Sequence, residues 1–273
     1  MKDDKWWDES WNPTTGCNND IISSGCANCY ARRMATRLRG RYGYPADDPF
    51  RVTFHPDRLE QPLKWKKPRR IFACSMGDLF HNDVQFEQID AVIRVIAKAR
   101  QHTFMILTKR PGRMAEYFMH LAYMLQIVGY SHLPLPNLWL GVTAENQRTA
   151  DERIPILLQI PAAVRFVSVE PMLGPVDLSN DSMVDGDWSW LTGEQYDWPD
   201  GTPVVRSHRR IHIDWVICGA ETGPGARPMN LEWARDLRDQ CKESNVPFFF
   251  KKAGPKGTPT PDDLMIREFS KGG

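Results

Sequence analysis

The sequence predicts an α/β fold, a partial or full (β/α) barrel of parallel strands with flanking helices. Three observations predict it. Short apolar runs alternate with stretches of helical period from residue 51 to the C-terminal region. The apolar runs are nearly continuous, as strands are when both faces of a sheet are covered. Six or seven such units fit in 273 residues, which suits a barrel better than an open doubly wound sheet. Strand order separates those two architectures and is not carried by the pattern.

The first 30 residues are rich in turn formers, with WNPTTGC, NND and SSGCANC, and predict loop. From Tyr30, YARRMATRLRGRYG has apolar or small residues at helical spacing before Gly43 and Pro45, predicting a basic helix over 29–41. RVTF (51–54) and RRIFAC, over 70–74, read as strands. FEQIDAVIRVIAKAR (86–100) has a helical period, and HTFMILTKRP holds a strand at 103–107. RMAEYFMHLAYMLQIV (113–128) reads as a helix whose Met114, Met119 and Met124 are expected in the core. NLWLGVTAEN holds a strand at 138–142. A helix follows over 147–159, with Pro155 expected to bend it or split off its end. Strands at 164–169, 213–218 and 247–251 and a helix over 231–244 complete the pattern. Residues 174–212 are acidic and Trp-rich, lack a period, and read as an inserted loop or small hairpin. The whole of 1–273 is expected to form one barrel-like domain, with 1–45 as a cysteine-motif loop and basic helix.

Lys plus Arg total 35 and Asp plus Glu 34, a net charge of +1, which excludes a polybasic tail protein and an acidic disordered one. No apolar run approaches the ~18 residues of a membrane helix, and MKDDKWWDES has no signal core. A cytoplasmic location with no membrane association is expected, and with it six reduced cysteines rather than a disulfide framework.

In a parallel barrel the site lies where strands end. The strand ends predict Ser75, Met76, Gly77 and Asp78; Thr108, Lys109 and Arg110; Thr143, Glu145 and Asn146; Glu170; Gly219, Glu221 and Gly223; and Lys251 and Lys252. Polar residues end most strands, because the chain returns to water there. Three glutamates and two lysines on one rim ask for more, since like charges repel unless something sits among them. GAETGPGARP (219–228) combines glycines with Glu221 and Arg227 and can present N–H groups to an anion.

Cys17, Cys26 and Cys29, spaced C-x8-C-x2-C, are the sharpest feature. Thiolates are soft ligands, and a C-x2-C pair chelates one metal or cluster. The spacing alone fits three readings. These are an iron–sulfur cluster with one open iron, a zinc ion with a histidine or aspartate as fourth ligand, and three incidental thiols. His55 and His81 are the distant histidines that a fold could return to the motif, and His81 is the one to test. His102, His120 and His132 are expected to be non-catalytic.

WNPTTGC with GCANCYA, HPDRLEQPLKWKKPRRIF, SMGDLFH, ILTKRP, LGVTAENQ, DWVICGAETGPGARPM and VPFFFKKAG resemble the phage-associated three-Cys-motif proteins, a family of unknown function. The resemblance covers nearly all of the chain except 178–210. More distantly the chain resembles the radical S-adenosylmethionine enzymes, which have a partial (β/α) barrel and an N-terminal three-cysteine motif. Here the first gap is eight residues, against three in the usual motif. This resemblance implies a 4Fe–4S cluster on Cys17, Cys26 and Cys29 and bound S-adenosylmethionine. Ser75, Gly77 and Asp78 would meet its methionine moiety, and Thr143, Glu145 and Asn146 its ribose. Glu170 with Gly219 and Gly223 would face adenine or substrate. Glu170, Glu221 and Lys251 are expected as catalytic groups and a reductant protein as electron donor.

Arg32, Arg33, Arg37, Arg39 and Arg41 lie beside the cysteines, and KWKKPRR (64–70) sets Trp65 among basic residues. Basic groups interleaved with an aromatic suit phosphates and bases, so a nucleic acid or nucleotide is the expected substrate. Two other functions are expected as alternatives. One is a zinc- or Fe–S-stabilised nucleic-acid-binding protein acting with a partner protein. The other is a metal-dependent hydrolase using Asp78, Glu145, Glu170 and Glu221.

Overall fold

The computed structural model describes residues 5–129, 133–179, 187–193, 195–197, 204–206 and 211–271. The fold is α/β. Seven strands share one sheet: β1 (Glu9–Trp11), β2 (Arg70–Ala73), β3 (Thr103–Thr108), β4 (Leu138–Thr143), β5 (Val164–Val169), β6 (Trp215–Cys218) and β7 (Phe248–Phe250). Their order in the sheet is their order in the chain, with no reversal. That is the strand order of a partial (β/α) barrel, not of a doubly wound sheet. Five helices are described: α1 (Tyr30–Arg37), α2 (Phe86–Lys98), α3 (Pro111–Ile127), α4 (Gln147–Leu158) and α5 (Leu231–Glu243). Among the described residues no helix is long and apolar enough to cross a membrane.

The chain divides into two compact units. The first comprises Met1–Val142, Gln159–Ala163 and Gly273; the second comprises Thr143–Leu158 and Val164–Gly272. In the first, β1 pairs parallel with β2, β2 with β3 and β3 with β4. All six residues of β4 are buried, as the continuous apolar run requires. α2 buries Ile89, Val92, Ile93 and Ile96, an i, i+3, i+4, i+7 stripe, and opens with a Gln85–Gln88 capping box. In the second unit β6 pairs parallel with both β5 and β7. Asn230 caps α5 by accepting from the Glu232 amide.

Four expectations change. β1 lies in the stretch read as loop. It is held by the backbone bond from Asp8 N–H to the Arg70 carbonyl and by Trp11, fully buried, whose indole N–H donates to the Arg58 carbonyl. The basic helix ends at Arg37, four residues early, with Gly40 at positive φ just beyond. Pro155 sits inside α4 without ending it. Met114 is buried, but Met119 and Met124 are exposed, because only the first two turns of α3, through Met114, Tyr117 and Phe118, reach the core.

Within 174–212 three short antiparallel strands occur, at 187–188, 195–197 and 204–206. Trp190 and Leu191 beside them are buried, and the Ile213 amide donates to the Trp190 carbonyl. Residues 180–186, 194, 198–203 and 207–210 of the segment, and His132, lie outside the described residues.

His55 is 5% exposed, with its Nε2 2.9 Å from Thr15 Oγ1. Burial, aided by the Arg58 charge, pushes its imidazole down to about 4. The unfolded chain takes up that proton near pH 6.5. Between those values the unfolded state binds more protons, so His55's contribution to stability is complete above about pH 6.5 and is lost as pH falls toward about 4. Urea unfolding midpoints measured across this window should fall with pH in the native chain, and less steeply in His55→Gln.

Candidate functional site

The cysteine loop is built on glycine contacts between two strand ends. After β1 the chain passes Gly16, which has φ +86° and donates its N–H to the Met76 carbonyl. Gly16 bridges Gly77 in parallel register, and a Cβ on Gly77 would stand 2.7 Å from the Gly16 carbonyl oxygen. Asn12 Oδ1 accepts from the Met76 amide at 2.9 Å and from Ser75 Oγ at 3.3 Å. The SMGD loop therefore runs directly beside Cys17, although 58 residues or more separate them in sequence.

Cys17 donates its amide to the Phe50 carbonyl, and Cys29 is the N-cap residue of α1. Both pack, with Met34 and Leu38, against a buried cluster of Ala35, Tyr44, Phe50 and Met76. Cys26 ends a short 3-10 turn, Ser24–Cys26, and its carbonyl accepts from the Arg32 guanidinium at 2.6 Å. Arg32 is thus turned inward as a brace and is not a free cation.

Two consecutive cations reach two of the sulfurs. Lys109 Nζ lies 3.6 Å from Cys26 Sγ and donates to Ser23 Oγ at 3.1 Å. Arg110 donates to Cys17 Sγ at 3.4 Å, to Asp78 Oδ2 at 2.9 Å and to Asp20 Oδ2 at 2.8 Å. Burial pushes the Cys17 thiol up to about 11, only partly offset by Arg110. Burial also works against ionisation of Cys26, but Lys109 and hydrogen bonds around Ser23 outweigh it and bring that thiol below its ordinary value. Burial disfavours the charge on Arg110, yet Asp78 and Cys17 hold it charged, above its ordinary value.

Asp78 is 7% exposed and its oxygens are fully engaged. Oδ1 accepts from Thr108 Oγ1 at 2.8 Å and from the Phe80 amide at 3.0 Å, and Oδ2 from Arg110. His81 is buried. Its Nδ1 accepts from the Asp83 amide, so Nε2 carries the proton and donates to Asp20 Oδ2 at 2.9 Å. His102 is also buried, with Nε2 at the Pro62 carbonyl, while His120 is exposed.

All six cysteines are unpaired by disulfides. Cys17, Cys26 and Cys29 are half-buried, whereas Cys74, Cys218 and Cys241 are buried. Among the described residues no group of three His, Cys, Asp or Glu side chains stands close enough, as placed, to hold a metal ion. The three sulfurs share one loop region without forming a closed cage.

In the second unit the strand-end charges are neutralised internally, which corrects the expectation of a mutually repelling rim. Glu145 is fully buried and pairs with Arg153 at 3.0 Å; Arg153 also donates to the Thr143 carbonyl. Glu221 accepts both the backbone N–H and the guanidinium of Arg227, which staples the glycine-rich loop containing Gly223 and Gly225, both at positive φ. Lys251 Nζ donates to Glu170 Oε1 at 2.6 Å, each side chain 18% exposed. A Cβ on Gly219 would lie 3.2 Å from Lys251 Cβ and 3.5 Å from Glu170, so glycine leaves room for this pair. Asn146 caps α4: its Oδ1 accepts from the Thr149 amide and its own amide donates to Thr149 Oγ1. Asn12 and Asp20 join the site without any signal in the sequence. Lys109 and Arg110 stand at a strand end, in LTKRP, but nothing in that run pairs them with the cysteines.

A family model described as "Protein of unknown function (DUF5131)" matches residues 3–265. No curated protein matches the chain. Among solved structures, a cysteine-to-serine mutant of spore photoproduct lyase is similar at 13% identity and a TM-score of 0.38, covering 89% of this chain and 75% of that one.

Two outcomes follow from the geometry. With an alkylating reagent near neutral pH, Cys26 should label first and Cys17 more slowly. Cys74, Cys218 and Cys241 should stay protected until the chain unfolds, as read by peptide mass mapping; Lys109→Gln should slow Cys26 severalfold. Glu145→Gln leaves Arg153 buried without its counter-charge and should cost about 3–5 kcal/mol in urea unfolding.

Proposed function

For this chain, which belongs to the DUF5131 family of proteins of unknown function, we propose a radical S-adenosylmethionine enzyme whose cluster is held by Cys17, Cys26 and Cys29. One observation carries the reading. The three cysteines spaced as a ligand set are the three kept half-exposed, beside two cations, while the other three are sealed in the interior.

The donor set fits such a group. Three soft sulfurs from one loop region would leave a cluster iron open for an exchangeable ligand. A 4Fe–4S cluster with bound S-adenosylmethionine supplies one-electron reductive cleavage of the sulfonium, drawing its electron from a reductant protein. The chain's own residues prepare the place. Lys109 and Arg110 set positive charge against Cys26 and Cys17 and favour the ligating thiolates. Asp78 acts as a positioning residue, because its carboxylate is consumed by Arg110, Thr108 and Phe80. In this reading Ser75 and the backbone at Gly77 take the S-adenosylmethionine contact in that loop. In the second unit Glu170 and Lys251 keep part of their surface open and take the substrate-facing role, while Glu145 anchors the fold and Asn146 caps a helix. The hydrolase alternative loses support, because Asp78, Glu145, Glu170 and Glu221 each already carry a cationic partner.

Protein purified without oxygen should be brown and hold iron and sulfide. With dithionite it should convert S-adenosylmethionine to 5′-deoxyadenosine and methionine. Cys17→Ala, Cys26→Ala and Cys29→Ala should each lose the chromophore, and Cys241→Ala should keep it. A colourless protein holding one zinc ion would overturn the reading.

A further inference from the structure

α1 buries Ala35 and packs Ala31, Met34 and Leu38 against the same cluster as Cys17 and Cys29. One flank of the helix carries Tyr30, 58% exposed, and the exposed Arg37 two turns on. At 1.5 Å of rise per residue these two lie about 10 Å apart along the helix. Arg41 and Tyr42, 75% exposed, continue the strip past the helix end. Arg41 donates only to the Arg37 carbonyl and Arg37 only to the Met34 sulfur, so among the described residues neither meets a carboxylate. Tyr42 then lines an open depression of about 490 Å³ with Gly43, Tyr44, His55, Asp57, Arg58 and Gln61.

We infer that this strip, Tyr30–Arg37–Arg41–Tyr42, is a track for single-stranded nucleic acid that leads to the cysteine loop. The inference names the substrate class of the proposed enzyme and rests on that reading for its purpose, though not for the binding itself. The chemistry points one way. Guanidiniums without counter-ions are matched by phosphates, and exposed tyrosines between them are matched by unstacked bases. A duplex hides its base faces and gives the tyrosines nothing to stack on. An acidic peptide would satisfy the arginines and leave the tyrosines unused. Tyr30 directly follows Cys29, so a strand lying on the track ends at the candidate cluster.

Fluorescence anisotropy of the full chain with labelled oligothymidine, oligouridine, a matched duplex and a polyglutamate peptide tests this. Tight, salt-sensitive binding to the single strands, and much weaker binding to duplex and peptide, is expected; the two oligomers tell DNA from RNA. Arg37→Gln and Arg41→Gln should each lower the log–log salt slope by about 0.7. Tyr30→Ala and Tyr42→Ala should weaken binding about five- to a hundredfold. Arg100→Gln, an exposed cation elsewhere in the same unit, should change nothing. Equal binding to duplex or peptide, or strip variants that bind as the native chain does while keeping its circular dichroism, would overturn the inference. Iron content and 5′-deoxyadenosine formation, measured on the same samples, separate a failed track from a failed cluster.

Discussion

One guanidinium holds the first unit's loop region together. Arg110 joins the loop after β1 through Cys17, the following turn through Asp20, and the loop after β2 through Asp78. Its side chain is 11% exposed and that of Asp78 9%, so the pair is nearly desolvated. Such a pair adds little stability over an apolar substitute, but losing Arg110 leaves the buried Asp78 carboxylate without its counter-charge, at about 3–5 kcal/mol. Asp78 is fixed in turn by Thr108, whose Oγ1 also accepts the Arg110 amide. The result is a closed circuit: β3 places Thr108 and Arg110, both orient Asp78, and the circuit positions Cys17.

Much of the fold was legible because the parallel strands are apolar throughout. FMIL, LWLGVT and FVSV carry an unbroken signal, and their strands begin within two residues of expectation. β1 was not legible. Three residues with one tryptophan make no period, and the strand exists because β2 offers an edge and Trp11 fills the core. The early end of α1 has a similar cause. The arginines continue the helical pattern, but Gly40 and Gly43 take left-handed conformations that turn the chain back through Tyr44.

At the site the sequence indicated which residues mattered more reliably than what they do. The strand-end rule found Asp78, Glu145, Glu170 and Glu221, and all four carry ion pairs. For Glu145 and Glu221 the partners are Arg153 and Arg227, eight and six residues further on, in a helix and in a loop. A charge at a strand end therefore reports a demand for electrostatic balance, and a helix can meet that demand as readily as a ligand. The degree of closure separates the cases. Glu145 is sealed with its partner, whereas Glu170 and Lys251 remain partly open.

The cysteines show the same logic in sulfur. Cys74, Cys218 and Cys241 are thiols in apolar surroundings, where burial pushes ionisation upward, Cys74 to about 12. Such thiols pack as small apolar side chains. Cys26 is held by the opposite balance, and the difference is a neighbouring ammonium rather than sequence spacing. Lys109 and Arg110 are adjacent at the end of a strand, where successive side chains diverge. One reaches Cys26 and the other Cys17, so a single strand end supplies charge to two sulfurs nine residues apart in the loop. Arg110 is matched by Asp78 and Asp20 as it reaches Cys17, whereas Lys109 is directed at Cys26 and Ser23.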